Sequence, residues 1–142
     1  MNKQAVHQLI LDKLRVDLDI AENKYDTLGL EASYLAAGQA KRVEEIRQSL
    51  ALCQSLTLRP YDDQRGIEVG ALLGLEDEKG REQWLFLAPD AAGLKVDLVG
   101  QWITVITPRS PLGKSLLGKF EGDEVEILVA GARQQFSVTE VV

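Results

Sequence analysis

One cysteine, Cys53, stands alone in the 142 residues, so no disulfide can staple the chain to itself. Proline is absent before Pro60, which frees that whole stretch from the strongest helix breaker. No apolar run approaches the ~20 residues needed to span a bilayer. The opening residues Met1 to His7 lack the apolar core of a signal peptide. Basic residues are outnumbered, 16 Lys and Arg against 22 Asp and Glu, for a formal net charge of −6. Gripping nucleic acid by its phosphates depends on clustered cations, so an acidic chain is a poor candidate for that work. A role in a nucleic-acid process would run through a protein partner. No phosphate-binding loop, zinc-ligand spacing or Ser/His/Asp arrangement is visible. These absences leave a soluble, cytoplasmic protein as the expectation.

What is present is an ordinary globular composition, 45% hydrophobic and 27% charged. The pattern changes character at Leu58 to Arg65, read as a linker between residues 1–58 and 66–142. Before it, Leu11, Leu14, Leu18, Ala21 and Tyr25 recur at steps of three and four, with Gln4 and His7 in phase. Ala36, Gln39, Val43, Ile46, Leu50, Cys53 and Thr57 repeat the pattern. Two such stripes predict an antiparallel helical hairpin with a coiled-coil-like seam, turning between about Glu22 and Gly29. Ala, Gln, Cys and Thr make that seam weak, so the arm is expected to lean on docking at its base.

After the linker the period becomes two. Ile67, Val69, Ala71 and Leu73 predict a strand, Glu76 to Gly80 a turn, and Trp84 to Leu87 a second strand. Pro89 to Gly100 reads as irregular, and Trp102 to Thr107 as a third strand. Ser110 as cap, Pro111 at the first helical position and Gly118 as stop mark a short helix. Val125 to Val129 and Phe136 to Thr139 predict a closing hairpin around Gly131. The fold class is α+β: a helical hairpin followed by an antiparallel β domain with one short helix. Trp84, Phe86 and Trp102 are assigned to its core, His7 to a packed or hydrogen-bonded position, and Cys53 to the buried seam.

The run Ile103-Thr104-Val105-Ile106-Thr107-Pro108-Arg109-Ser110-Pro111-Leu112-Gly113-Lys114-Ser115-Leu116-Leu117-Gly118-Lys119 resembles the signature of the C-terminal domain of the bacterial Gre transcription elongation factors. Glu121 to Ile127 continues the match, and Gly131 to Val142 corresponds to the closing hairpin. Leu30 to Ala37, with Tyr34, looks like the tip-proximal segment of the helical arm. Glu22 to Thr27 resembles a tip variant of shorter Gre-like proteins. The resemblance implies an FKBP-like C-terminal domain that docks on RNA polymerase, and an arm that enters the polymerase secondary channel. It implies docking through Arg109, Ser110, Pro111, Leu112 and Lys114.

Cleavage factors of the family carry a spaced acidic pair before the tyrosine; here Thr27 and Leu30 occupy those places. Glu22, Asp26 and Glu31 remain as the tip acids that would meet the Mg2+ of the polymerase active site, where oxygen ligands must arrive at defined positions. The plainer reading makes Asp26 and Glu31 solvated helix-end residues, Asp26 as the cap of the second helix. The chain itself is expected to hold no tight cofactor and to act as an accessory factor, not an enzyme. It is read as a monomer, with dimerisation through the hairpin left open, and with no membrane or sequence-specific nucleic-acid contact. Rival readings are a channel-occupying competitor of Gre factors that does not cleave, a prolyl isomerase, and a dimerising interaction module.

Overall fold

The structure, a computed structural model, describes residues 1–28 and 33–142. Two long helices come first, α1 (Lys3–Leu28) and α2 (Ser33–Gln54). Asn2 starts α1: its side-chain oxygen accepts the Ala5 amide at 3.0 Å. With no proline or glycine inside it, α1 runs 26 residues, about 39 Å at 1.5 Å per residue. It therefore runs through most of the segment expected to turn, and Asp26 lies inside its last turn instead of capping α2. The two helices are antiparallel, as Gln39 donating to the Ala21 carbonyl at 3.0 Å and the His7–Cys53 contact fix.

The expected seam is present in the middle of the arm and differs at its ends. Leu11, Leu14, Ala21, Val43, Ile46 and Cys53 are buried. Gln4 and Tyr25 are exposed, and Thr57 lies beyond α2 and is exposed. In place of Gln4, Val6 and Ile10 are wholly buried, on a second stripe of α1 that faces the sheet. Away from the base, Ala21, Val43 and Ile46 with Leu18 form only a thin cluster. Docking of α1 on the sheet supplies what that thin seam lacks.

Six strands follow: β1 (Leu72–Asp77), β2 (Glu82–Leu87), β3 (Lys95–Leu98), β4 (Gln101–Ile106), β5 (Glu124–Val129) and β6 (Ala132–Val141). Their order is β3-β4-β2-β1-β6-β5. The expected all-antiparallel sheet is corrected at one place, since β2 and β4 run parallel, with Trp84 opposite Ile103 and Phe86 opposite Val105. The chain leaves β2, crosses to the edge, returns as β3, and inserts β4 between the two. The segment expected to be irregular thus contains an edge strand, short enough that Val96 is its only buried side chain. The expected first strand also starts late: irregular backbone with two short turns runs to Ala71, and Leu72 opens the ladder.

One face of the sheet, with Leu72, Phe86, Ile103 and Val105, packs on Val6, Ile10, Leu14 and Cys53 of the helices. The other, with Leu73, Leu85, Leu87, Val125 and Val138, is covered by Leu116 of the short helix α3 (Pro111–Leu116). Ile103 and Val105 point at the long helices, so Trp102 points to the opposite face. There α3 packs toward β5, and the indole stays 59% exposed, against its assignment to the core. Lys3 ties the ends together, its ammonium donating to the Arg59 carbonyl and, at 2.8 Å, to the Val142 main-chain oxygen. Burial holds Lys3 below the ordinary lysine range, with Glu68 pulling the other way.

Candidate functional sites on the arm and before α3

The turn before α3 is built by short-range chemistry. Ser110 has extended backbone, φ −78° and ψ 155°, and its Oγ accepts the Gly113 amide at 3.0 Å while donating to the Thr107 carbonyl at 2.9 Å. One hydroxyl thus closes the helix start and the end of the preceding strand. Gly113 is required by close approach, since a Cβ there would sit 1.9 Å from the Thr107 oxygen. Gly118, at φ +77°, ends the segment in left-handed backbone.

Around this frame the five docking candidates divide by exposure. Arg109, Pro111 and Lys114 are exposed, Ser110 is half-buried in its cap, and Leu112 packs partly into the core beneath. The structure therefore brings two cations and a proline ring onto one small surface. Arg109 has a loose ion pair with Asp90, 3.7 Å between Nη2 and Oδ2. A separation of that length in solvent contributes little stability and leaves most of the guanidinium open.

At the far end of the arm, Asp26 is exposed and Glu22 lies one turn below it on α1. Glu22 is engaged by Arg47 of α2 at 2.9 Å, and Arg47 also faces Glu44 at 3.8 Å. Glu22 and Asp26 share a groove with Tyr25, Val43, Glu44 and Arg47. Glu31 lies outside the described residues. Among the described residues no group of three or more His, Cys, Asp or Glu is placed to hold a metal. Two acids, one already neutralised by an arginine, do not make a cation site of their own. Tyr34 is 77% exposed near the start of α2. Sequence reasoning missed Arg47 and Glu44 here, because their place opposite Glu22 depends on the helix register.

Asp90, in the loop between β2 and β3, was likewise not legible. Its carboxylate accepts the Ser49 hydroxyl of α2 at 3.0 Å and the Ala91 amide at 2.6 Å. Its carbonyl lies 3.9 Å from the Cys53 thiol, one turn along the same helix. Burial, with a smaller contribution from the Asp90 charge, pushes the Cys53 thiol up to about 11. Cys53 is therefore a packed thiol and not a nucleophile.

No family model matches the chain. It is 26% identical over 124 residues to the transcription elongation factor GreA of Jannaschia sp. (strain CCS1), covering 87% of this chain and 72% of that protein. It is 25% identical over 149 residues to GreA of Acinetobacter baumannii (strain SDF), covering 99% and 90%. To GreA of Halorhodospira halophila (strain DSM 244 / SL1) it is 29% identical over 138 residues, covering 92% and 83%. Among solved structures, GreA factor homolog 1 (Gfh1) of Thermus thermophilus aligns with a TM-score of 0.41 at 19% identity, over 97% of this chain and 93% of that one. GreA/GreB of Nitrosomonas europaea aligns with a TM-score of 0.42 at 21% identity, over 89% and 93%.

Proposed function

We propose that this chain, a distant GreA/GreB-like homologue, is an accessory factor of transcription elongation. It binds RNA polymerase through the turn before α3 and inserts the α1–α2 arm into the secondary channel. The observation that carries the reading is the pairing of two surfaces in one chain. A rigidly capped turn presents Arg109, Pro111 and Lys114, and a long two-helix arm leaves the same sheet from its other face. Fold alone carries no activity, so the whole-chain likeness to GreA proteins supplies the partner. Competition between this chain and a GreA factor for core polymerase tests it. Displacement is expected, and absence of binding removes the proposal.

Within that reading, occupancy of the channel without stimulated cleavage is favoured by one specific arrangement. Glu22 is bound by Arg47, and the described part of the arm assembles no metal-holding cluster. In the cleaving alternative, the polymerase's own Mg2+ would meet Asp26 and Glu31. Transcript cleavage in backtracked complexes, comparing the wild type with Asp26→Ala and Glu31→Ala, discriminates the two outcomes. Cleavage above the polymerase's own rate that falls in either variant would establish the cleaving role and overturn mere occupancy.

A further inference from the structure

We infer that Asp90 is the joint that sets the direction of the arm relative to the docking turn, a positioning residue for the function proposed above, on which this inference rests. Three separate segments meet at this one side chain. From the arm, Ser49 donates its hydroxyl to Oδ1 at 3.0 Å, and Cys53, one helical turn later, points its thiol at the Asp90 carbonyl. From its own loop, the Ala91 amide donates to the same Oδ1 at 2.6 Å. From the docking turn, Arg109 faces Oδ2 at 3.7 Å. The Asp90 side chain is mostly buried, so water competes weakly for the Ser49 and Ala91 bonds, while the Arg109 contact is the loose, solvated member of the set.

The backbone carries an independent sign of the same role. Ala91 has φ +71°, in the left-handed region that residues with a Cβ rarely adopt. Such a conformation persists only where its surroundings over-determine it. It stands directly beside the Asp90 carboxylate, whose Oδ1 the Ala91 amide holds at 2.6 Å. Leu50 and Cys53 of α2 share one apolar cluster with Ala91 and Leu94 of this loop, and that packing sets the broad approach of the helix. Directional hydrogen bonds to Asp90 fix the final angle. Because Ser49 and Arg109 approach different oxygens of one carboxylate, the arm and the docking surface are referred to one point.

The test measures arm direction in the full chain. Nitroxide labels at Arg42→Cys on α2 and Gln134→Cys on β6, both exposed positions, report the distance from arm to sheet, while native Cys53 is buried and does not take label. The wild-type background should give a single narrow distance distribution. Asp90→Ala should lose it, and Asp90→Asn, which keeps an acceptor for Ser49 and Ala91, should retain it. Ser49→Ala removes the same bond without touching the loop, and it decides the matter should Asp90→Ala fail to fold. A wild-type distribution in Ser49→Ala, or Asp90→Asn as broad as Asp90→Ala, overturns the proposal. Binding to core RNA polymerase, measured in parallel, keeps the two readings apart. A wild-type chain that does not bind removes the docking reading, while the distances still decide whether Asp90 is the joint.

Discussion

The imidazole of His7 donates through Nε2 to the Cys53 carbonyl at 2.8 Å, joining α1 to α2 where both meet the sheet. A carbonyl can only accept, so this contact places the proton on Nε2. The same ring lies parallel to Phe86 of β2, 6.1 Å between centroids. One residue thus bonds to the partner helix and stacks on the sheet core.

His7→Ala should therefore destabilise the fold by roughly 2 kcal/mol, combining a hydrogen bond of about 1 kcal/mol with lost aromatic packing. Urea unfolding of the two proteins checks the size. An unchanged midpoint would show that the base of the arm is held without this residue.

Cys53 makes an alkaline prediction. Its thiol is raised from 9.0 to about 11 in the folded chain, so the folded state holds its proton at pH values where the unfolded state has lost it. Stability from this group is fully present below pH 9 and is lost as pH rises through about 11. The loss is on the order of 2–3 kcal/mol for a thiol raised from 9.0 to about 11. Cys53→Ala should flatten the fall of unfolding free energy over that window. Alkylation at neutral pH should require denaturant.

Asp77 makes an acid prediction of the opposite sign. The Arg81 amide is the main cause holding its carboxyl below 3.8, with the Arg81 guanidinium and the Lys79 amide adding to it. Its contribution is present above the ordinary aspartate value and is lost as pH falls through the depressed folded value. Carboxyl chemical shifts followed through acid titration should show Asp77 protonating later than an unperturbed aspartate. The β1–β2 turn should loosen with it.

The turn before α3 gives a graded pair. Ser110→Ala removes the cap and should cost about 1 kcal/mol. Gly113→Ala forces a Cβ to within 1.9 Å of the Thr107 oxygen, so the turn must move, at a cost of roughly 2 kcal/mol or more. Thermal unfolding should rank the glycine variant as the less stable. Polymerase binding should follow the same ranking, and a ranking reversed in both measurements would refute the account of this turn.

The features legible in the sequence are those set by neighbours along the chain. The Ser110 cap, the Gly118 stop and the β5–β6 hairpin are where the spacing predicts them, because each rests on steric and hydrogen-bond preferences spanning a few residues. Helical periodicity marked Leu14, Val43 and Ile46 for the seam for the same reason. It misled at Gln4, because α1 has two partners, and the stripe formed by Val6 and Ile10 answers to the sheet. Of the candidate site residues, the sequence placed the α3 turn well and the tip acids poorly. Extending α1 to Leu28 moved Asp26 from a cap into the helix, and Glu22 acquired Arg47 as a partner.

By itself, then, the sequence determined the two long helices, five of the six strands in outline and the chemistry of the turn that starts α3, but not the short edge strand β3. Tertiary structure alone decided that β4 inserts parallel to β2, which sends Trp102 outward. It also decided that Lys3 reaches Arg59 and Val142, and that Ser49 meets Asp90 across 41 positions. The reason is physical. A cap or a helical stripe is satisfied within a turn or two of backbone, whereas these contacts depend on how whole elements bury their apolar faces together. No local spacing encodes that register.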